Sequence, residues 1–262
     1  MKGRVLVVAG SDSGGGAGIQ ADIKAITALG GFAATAITAL TAQNTLGVHG
    51  VQAVPVAFIR QQMRVVLEDI GADVMKTGML HDAATIEAVC AEIPAGLRLV
   101  ADPVMMAKGG HALLRDEAVA TLKRLLLPRA TVLTPNLPEA EVLTGLRIRT
   151  QVEMRAAVPA LLALGPQAVL LKGGHLEGSR MLDLLASAEG VVGFEGERVD
   201  TPHTHGTGCT MASALAVGLA QGLSLHDAVK RARDYVLAAI QSAPGYGAGH
   251  GPLNHAVWSG QP

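Results

Sequence analysis

RVLVVA at Arg4–Ala9, running straight into GSDSGGGAGIQADIK at 10–24, decides the fold. A nearly continuous apolar run of β-branched residues reads as a strand buried on both faces, and the glycine-rich turn after it opens a helix near Ile19–Leu29. The same grammar recurs along the chain. Ala33–Thr41, Asp73–Thr77, Leu97–Ala101, Thr131–Thr134 and Ala168–Lys172 read as strands, and Val56–Ile70, Ala83–Ile93, Glu117–Leu126 and Glu153–Leu164 read as helices between them. Repeated strand–helix alternation implies a mostly parallel sheet wrapped by helices. Arg180–Ala186 and Val191–Val199 read as an antiparallel hairpin, followed by helices near Thr210–Gln221 and Leu225–Gln241. No repeat, linker or shift of composition divides the chain, so residues 1–262 are expected to form one α/β domain.

Composition narrows the function classes. With 21 basic and 22 acidic residues the formal charge is −1, and no basic stripe suggests nucleic acid or a membrane surface as partner. No run approaches the ~18 apolar residues of a membrane span, and the N-terminal apolar run is too short for a signal peptide. A cytoplasmic location is therefore expected. Cys90 and Cys209 are the only cysteines, too few for a disulfide framework.

In an open parallel sheet ligands gather beyond the carboxyl ends of the strands, so the loops there are expected to carry the chemistry. Residues 10–22 carry five glycines in the nine positions 10–18, beside Asp12 and Asp22. The turn lacks the Gly-Lys-Ser/Thr ending of a Walker loop. Gly16-x-Gly18-x-x-Ala21 imitates a dinucleotide fingerprint, but it starts too far after the strand, and no ribose-binding acid ends the next one. A flexible turn explains the glycines too, whereas their density suggests close backbone approach to a ligand. Later, Thr201-Pro-His203-Thr204-His205-Gly206-Thr207-Gly208-Cys209-Thr210 leads directly into an apolar helix. Successive backbone N–H groups at a helix start form an anion hole, although an ordinary N-cap uses the same residues. His203, His205 and Cys209 have no defensible metal-ligand spacing.

Company favours phosphoryl transfer. Asp102-Pro-Val104-Met105, Thr134-Pro-Asn136-Leu-Pro-Glu139 and Leu171-Lys172-Gly-Gly-His175 place two carboxylates, an amide and a lysine after neighbouring strands. Such chemistry needs oxygen ligands for Mg²⁺, a cation on the phosphates and N–H donors for developing charge.

These segments, with Ala39-Leu-Thr-Ala-Gln43-Asn44-Thr45, Lys76-Thr-Gly-Met79-Leu80 and Gly249-His-Gly-Pro-Leu-Asn-His255, resemble the hydroxymethylpyrimidine/phosphomethylpyrimidine kinases in order and spacing. The resemblance spans essentially the whole chain. It implies a ribokinase-like three-layer α/β/α sandwich with a mostly parallel central sheet. It also implies that ATP phosphorylates 4-amino-5-hydroxymethyl-2-methylpyrimidine and then its monophosphate, in thiamine biosynthesis. Cys209 stands where the wider superfamily has a catalytic aspartate. A helix N-terminus lowers a thiol's pKa, which would make Cys209 a workable base near neutral pH.

The resemblance further implies that Gly206, Thr207, Gly208 and Cys209 form the anion hole and that Lys172 reaches the ATP phosphates. Asp102, Asn136 and Glu139 would organise Mg²⁺, partly through water. Gly10, Asp22, Gln43, Met79 and Val104 would form the acceptor pocket, where the carbonyl and NH₂ of Gln43 suit an aminopyrimidine edge. Lys108-Gly-Gly-His111 reads as a water-excluding flap, though its glycines suit an ordinary turn. A homodimer is the family expectation. Two rival readings remain: a pyridoxal kinase of the same fold, and a non-catalytic pyrimidine-binding regulator.

Overall fold

The computed structural model describes residues 1–107, 110 and 113–257. Nine strands form one sheet: β1 Arg4–Asp12, β2 Phe32–Asn44, β3 Gly47–Ala53, β4 Val74–Thr77, β5 Arg98–Ala101, β6 Val132–Leu133, β7 Ala168–Leu171, β8 Arg180–Ser187 and β9 Gly190–Glu197. Their order is β3-β2-β1-β4-β5-β6-β7-β8-β9. The strands from β2 across to β7 are parallel, and β3, β8 and β9 are antiparallel additions at the two edges. The helices are α1 Gly18–Ala28, α2 Val56–Asp69, α3 Ala83–Glu92, α4 Asp116–Thr121, α5 Leu137–Thr144, α6 Gln151–Leu162, α7 Thr207–Ala220 and α8 Leu225–Gln241.

The alternation of β1 shows why three layers form. Leu6 and Val8 pack with residues of α2, α3, α5 and α6, including Ile59, Met63, Ile86, Ala140 and Leu161. Val5, Val7 and Ala9 point the other way, against Ile26 of α1, Leu215 of α7 and Val229 of α8. Successive strand side chains take opposite faces, so an all-apolar strand needs a helical layer on each side. Thr210–Leu219 of α7 is buried at every position, since α1, α8 and the sheet enclose it.

Two elements were missed in the sequence. Gly47–Ala53 pairs antiparallel with β2, but its residues are mostly exposed and show no apolar alternation. Leu137–Thr144 is a helix opened by a capping box, in which Asn136 Oδ1 accepts from the Glu139 N–H and the Glu139 carboxylate accepts from the Asn136 N–H. Asn-x-x-Glu with Pro138 in the first turn was a readable start signal. The helix expected at Glu117–Leu126 is regular only through Thr121, then widens to a π turn over Leu122–Leu126 and tightens to a 3₁₀ turn at Leu127–Arg129.

Candidate active site

Sheet order reverses between β1 and β4, where the chain leaves β1 toward β2 on one side and later enters β4 on the other. Ligand crevices form at such points. The loops that follow β1, β4, β5, β6 and β7 meet here around a cleft of about 1030 Å³. Gly10, Gln43, Met79, Asp102, Val104, Asn136, Glu139, Lys172 and Gly206 through Cys209 all line it. The flap residues Lys108, Gly109 and His111 lie outside the described residues.

Neighbouring strands hold the ionic side in register. Asp102 N–H donates to Thr77 O, Thr134 N–H to Ala101 O and Lys172 N–H to Pro135 O. Lys172 Nζ lies 3.0 Å from Asp102 Oδ1, which also accepts from Thr134 Oγ1 at 3.0 Å. Burial works against the Lys172 charge, but Asp102 and Glu139 outweigh it and raise its pKa. The turn after Lys172 is fixed from behind. Asp183 accepts from the Gly173 N–H at 2.8 Å and is paired with Arg233, and a Cβ on Gly173 would strike Leu182 O.

Burial lifts the Glu139 carboxyl to about 7, against the opposing charge of Lys172. The folded chain thus holds this proton more tightly than the unfolded chain, whose carboxyl titrates near 4.5. Stability should fall as pH rises between these values, approaching about 1.4 kcal/mol per pH unit for a whole proton. Glu139→Gln keeps the capping hydrogen bond and should lose that slope. Melting curves of the two proteins, measured without metal, would show parallel pH profiles if the group is not perturbed.

At the start of α7, Gly206 is the N-cap with φ of 84°, and no side chain caps the helix. Only glycine takes that conformation without strain, and here a Cβ would overlap Gly16 O as well. Thr207 N–H reaches Thr204 O at 3.3 Å, and with no side-chain cap the remaining N–H groups leave the helix start open to an anion. Cys209 lies in the first turn, yet its thiol is not lowered as expected. Burial pushes it up to about 11, the nearby Lys76 ammonium opposing and Asp22 and Asp102 adding to the rise. Desolvation outweighs the helix terminus.

Two further expectations are corrected. Asp22 does not line the cleft: it is fully buried and accepts from Lys76 Nζ at 2.9 and 3.1 Å and from Ser213 Oγ at 2.7 Å. Nor do the glycines of residues 10–18 chiefly make room for a ligand. A Cβ at Gly16 would stand 2.5 Å from His205 Cδ2, one at Gly18 2.4 Å from Gly10 O, and one at Gly10 2.9 Å from Met79 Sδ. They let this loop close on itself, on Met79 and on the turn before α7.

Sequence reasoning missed the roles of Asp12, His205 and Lys76. Asp12 accepts from the N–H groups of Gly14, Gly16 and Ala17 and lies 2.9 Å from His205 Nε2. Burial alone would raise Asp12, but the His205 hydrogen bond and the backbone donors hold it below the ordinary carboxylate value. His205 Nε2 also lies 3.2 Å from the Gln43 amide. Lys76, on a strand of otherwise ordinary composition, has no accessible surface at all.

Residues 12–254 match the family model described as phosphomethylpyrimidine kinase. The chain is 50% identical over 255 residues to a hydroxymethylpyrimidine/phosphomethylpyrimidine kinase of Bacillus subtilis (strain 168), covering 96% of this chain and 94% of that protein. It is 51% identical over 258 residues to the thiamine biosynthesis bifunctional protein ThiED of Geobacter sulfurreducens, covering 98% of this chain but only 53% of that longer protein. Among solved structures, an ADP complex of Bacillus subtilis pyridoxal kinase superposes with a TM-score of 0.91 at 37% identity, covering 98% of each chain.

Proposed function

The chain belongs to the phosphomethylpyrimidine kinase family, and from that premise we propose that it phosphorylates 4-amino-5-hydroxymethyl-2-methylpyrimidine and then the monophosphate, with ATP as donor, in thiamine biosynthesis. The observation that carries this reading is one cleft joining two kinds of surface. The Lys172–Asp102 pair faces the open start of α7, and Gln43, Met79 and Val104 stand on the same rim. The same reading takes residues 1–262 as one kinase domain working as a homodimer.

In this reading Lys172 neutralises the ATP phosphates, and the N–H groups of Gly206, Thr207, Gly208 and Cys209 receive charge that spreads over the transferred phosphoryl group. Gln43 orients the pyrimidine, Met79 and Val104 wall it, and Cys209 stands next to the acceptor hydroxyl. The pyridine-kinase alternative uses identical phosphate machinery. A coupled ATP assay on the hydroxymethylpyrimidine, its monophosphate and pyridoxal in parallel separates them. Turnover of both pyrimidines above pyridoxal is expected, and turnover of pyridoxal alone would overturn the reading. No turnover with any of the three would favour a non-catalytic binding protein.

Mg²⁺ fits the donor set. Asp102 Oδ1 is taken by Lys172 and Thr134, while Oδ2 points toward the start of α7, 3.9 Å from where a Cβ on Gly208 would stand. A hard carboxylate oxygen beside a phosphate site suits this ion, which usually takes one or two carboxylates, several waters and substrate phosphates. Asp102 would hold the ion, with Glu139 and the cap-engaged Asn136 reaching it through water. When bound, the ion supplies charge neutralisation on the phosphates. Excess chelator should abolish activity, and Asp102→Ala should lower kcat at least about 10²-fold. Full turnover in chelator would remove the metal from the mechanism.

A further inference from the structure

We propose that the Asp12–His205 pair is a positioning unit that turns the Gln43 amide so that its carbonyl faces the histidine and its NH₂ faces the acceptor pocket. This edge of the cleft then reads a hydrogen-bond acceptor, a ring nitrogen, rather than the exocyclic amino group. The proposal rests on the functional reading above and deepens it.

The argument is one of donors and acceptors. Asp12 is a carboxylate held by three backbone N–H groups and is only 3% exposed. A carboxylate only accepts, so the ring nitrogen 2.9 Å away, His205 Nε2, carries a hydrogen and donates it. The same ring nitrogen has a second neighbour, the Gln43 amide nitrogen at 3.2 Å, which also carries hydrogens. At the other end of the amide, Thr41 Oγ1 lies 2.9 Å from Ser11 O, which can only accept, so the single hydroxyl hydrogen is committed there. Thr41 therefore turns a lone pair toward the Gln43 oxygen 3.3 Å away.

Both ends of the amide thus set like against like. A half-turn of the amide, which leaves its shape unchanged, removes both mismatches together. The carbonyl then shares the His205 Nε2–H with the nearer Asp12 carboxylate in a three-centre bond, one N–H goes to Thr41 Oγ1, and the second N–H is left for the cleft that Gln43 lines. The Gln43 carbonyl, expected to accept from the pyrimidine's amino group, is instead engaged by the protein. The histidine cannot turn away to escape this arrangement. Its backbone N–H bonds to Gly251 O at 3.1 Å, and the Gly16 backbone lies directly on Cδ2, leaving no room even for a Cβ.

Three measurements on the full-length protein decide the matter. Gln43→Glu keeps an oxygen for His205 but puts an oxygen where the NH₂ faces the ring nitrogen. It should raise the pyrimidine KM about 10- to 100-fold with the ATP KM unchanged, as should Gln43→Leu. If Gln43→Glu is far milder than Gln43→Leu, the carbonyl faces the substrate and the proposal fails. His205→Leu should raise the pyrimidine KM by a similar factor. His205→Gln, whose amide nitrogen carries two hydrogens for Asp12 and Gln43, should restore it to within a few-fold of wild type. An unchanged KM in His205→Leu, or no rescue by His205→Gln, overturns the positioning role. Finally, long-range ¹H–¹⁵N spectra of the wild-type protein should show His205 protonated at Nε2, and an unprotonated Nε2 refutes the network. That spectrum needs no turnover. A wild-type chain inactive on the pyrimidine would sink the functional reading while the tautomer still judges this one.

Discussion

Cys209→Ala should lower kcat about 10²–10⁴-fold, the usual contribution of a general base, while the KM for ATP holds. The backbone N–H groups at the start of α7 do not depend on the side chain, so nucleotide binding survives the change. The structure adds a condition that the sequence did not suggest. With burial pushing the thiol up to about 11, Cys209 is protonated at neutral pH in the free protein. If it is the base, kcat/KM should climb with pH through the neutral range, about tenfold per unit, because that profile reports the free enzyme's ionisation. Cys209→Asp restores the superfamily's usual residue and should recover part of the rate with a flatter profile. Iodoacetamide should inactivate slowly at neutral pH and faster in alkali, and bound pyrimidine should slow it, since the thiolate is the nucleophile. A Cys209→Ala protein that turns over like wild type would reduce the thiol to packing. Catalysis would then rest on Lys172 and the Gly206–Gly208 backbone.

Lys76→Met should cost about 3–5 kcal/mol of stability, read from the denaturant midpoint. It would leave the Asp22 carboxylate sealed from water with Ser213 as its remaining hydrogen-bonding side chain. Burial disfavours the Lys76 charge, yet Asp22, with Cys209 and Asp102 nearby, outweighs it and raises the lysine's pKa. Removing one ion therefore uncovers the whole desolvation cost of the other. Lys76→Met combined with Asp22→Leu removes both charges and should recover much of the loss, as replaced buried pairs often do. A loss under about 1 kcal/mol in the single variant would mean that the pair is not held in its charged form. Asp22→Asn tests the revised placement of that residue. It should change stability far more than the pyrimidine KM, because Asp22 lies behind the cleft rather than on its wall.

Local sequence was enough for most of the architecture. The apolar runs at Arg4–Ala9 and Ala168–Lys172, the helix signals between strands and the glycines at 206 and 208 act within about ten residues of themselves, and the structure places each of those elements close to where periodicity put it. The same holds for the residues that reach the cleft through strand order alone. Asp102, Asn136, Glu139 and Lys172 each follow a parallel strand, so the rule that loops after parallel strands share one edge was sufficient. Where the sequence signal was weak or misassigned, elements were lost. Gly47–Ala53 forms because β2 offers it an edge, and the capping box at Asn136 was read as chemistry when it also begins a helix.

What only the tertiary structure decided concerns partners far apart in the chain. Lys76 meets Asp22 across 54 positions and His205 meets Asp12 across 193. No local pattern marks such pairs, because hydrogen-bond partners are chosen after the sheet has brought distant loops together. The same closure determined that Asp22 serves the interior, that the glycines of the first loop accommodate protein, and that desolvation of the half-buried Cys209 thiol overrules the helix terminus. Residue type and spacing therefore determined the family. The state of each group in the site depends on its surroundings, and these come from segments that meet only in the folded chain.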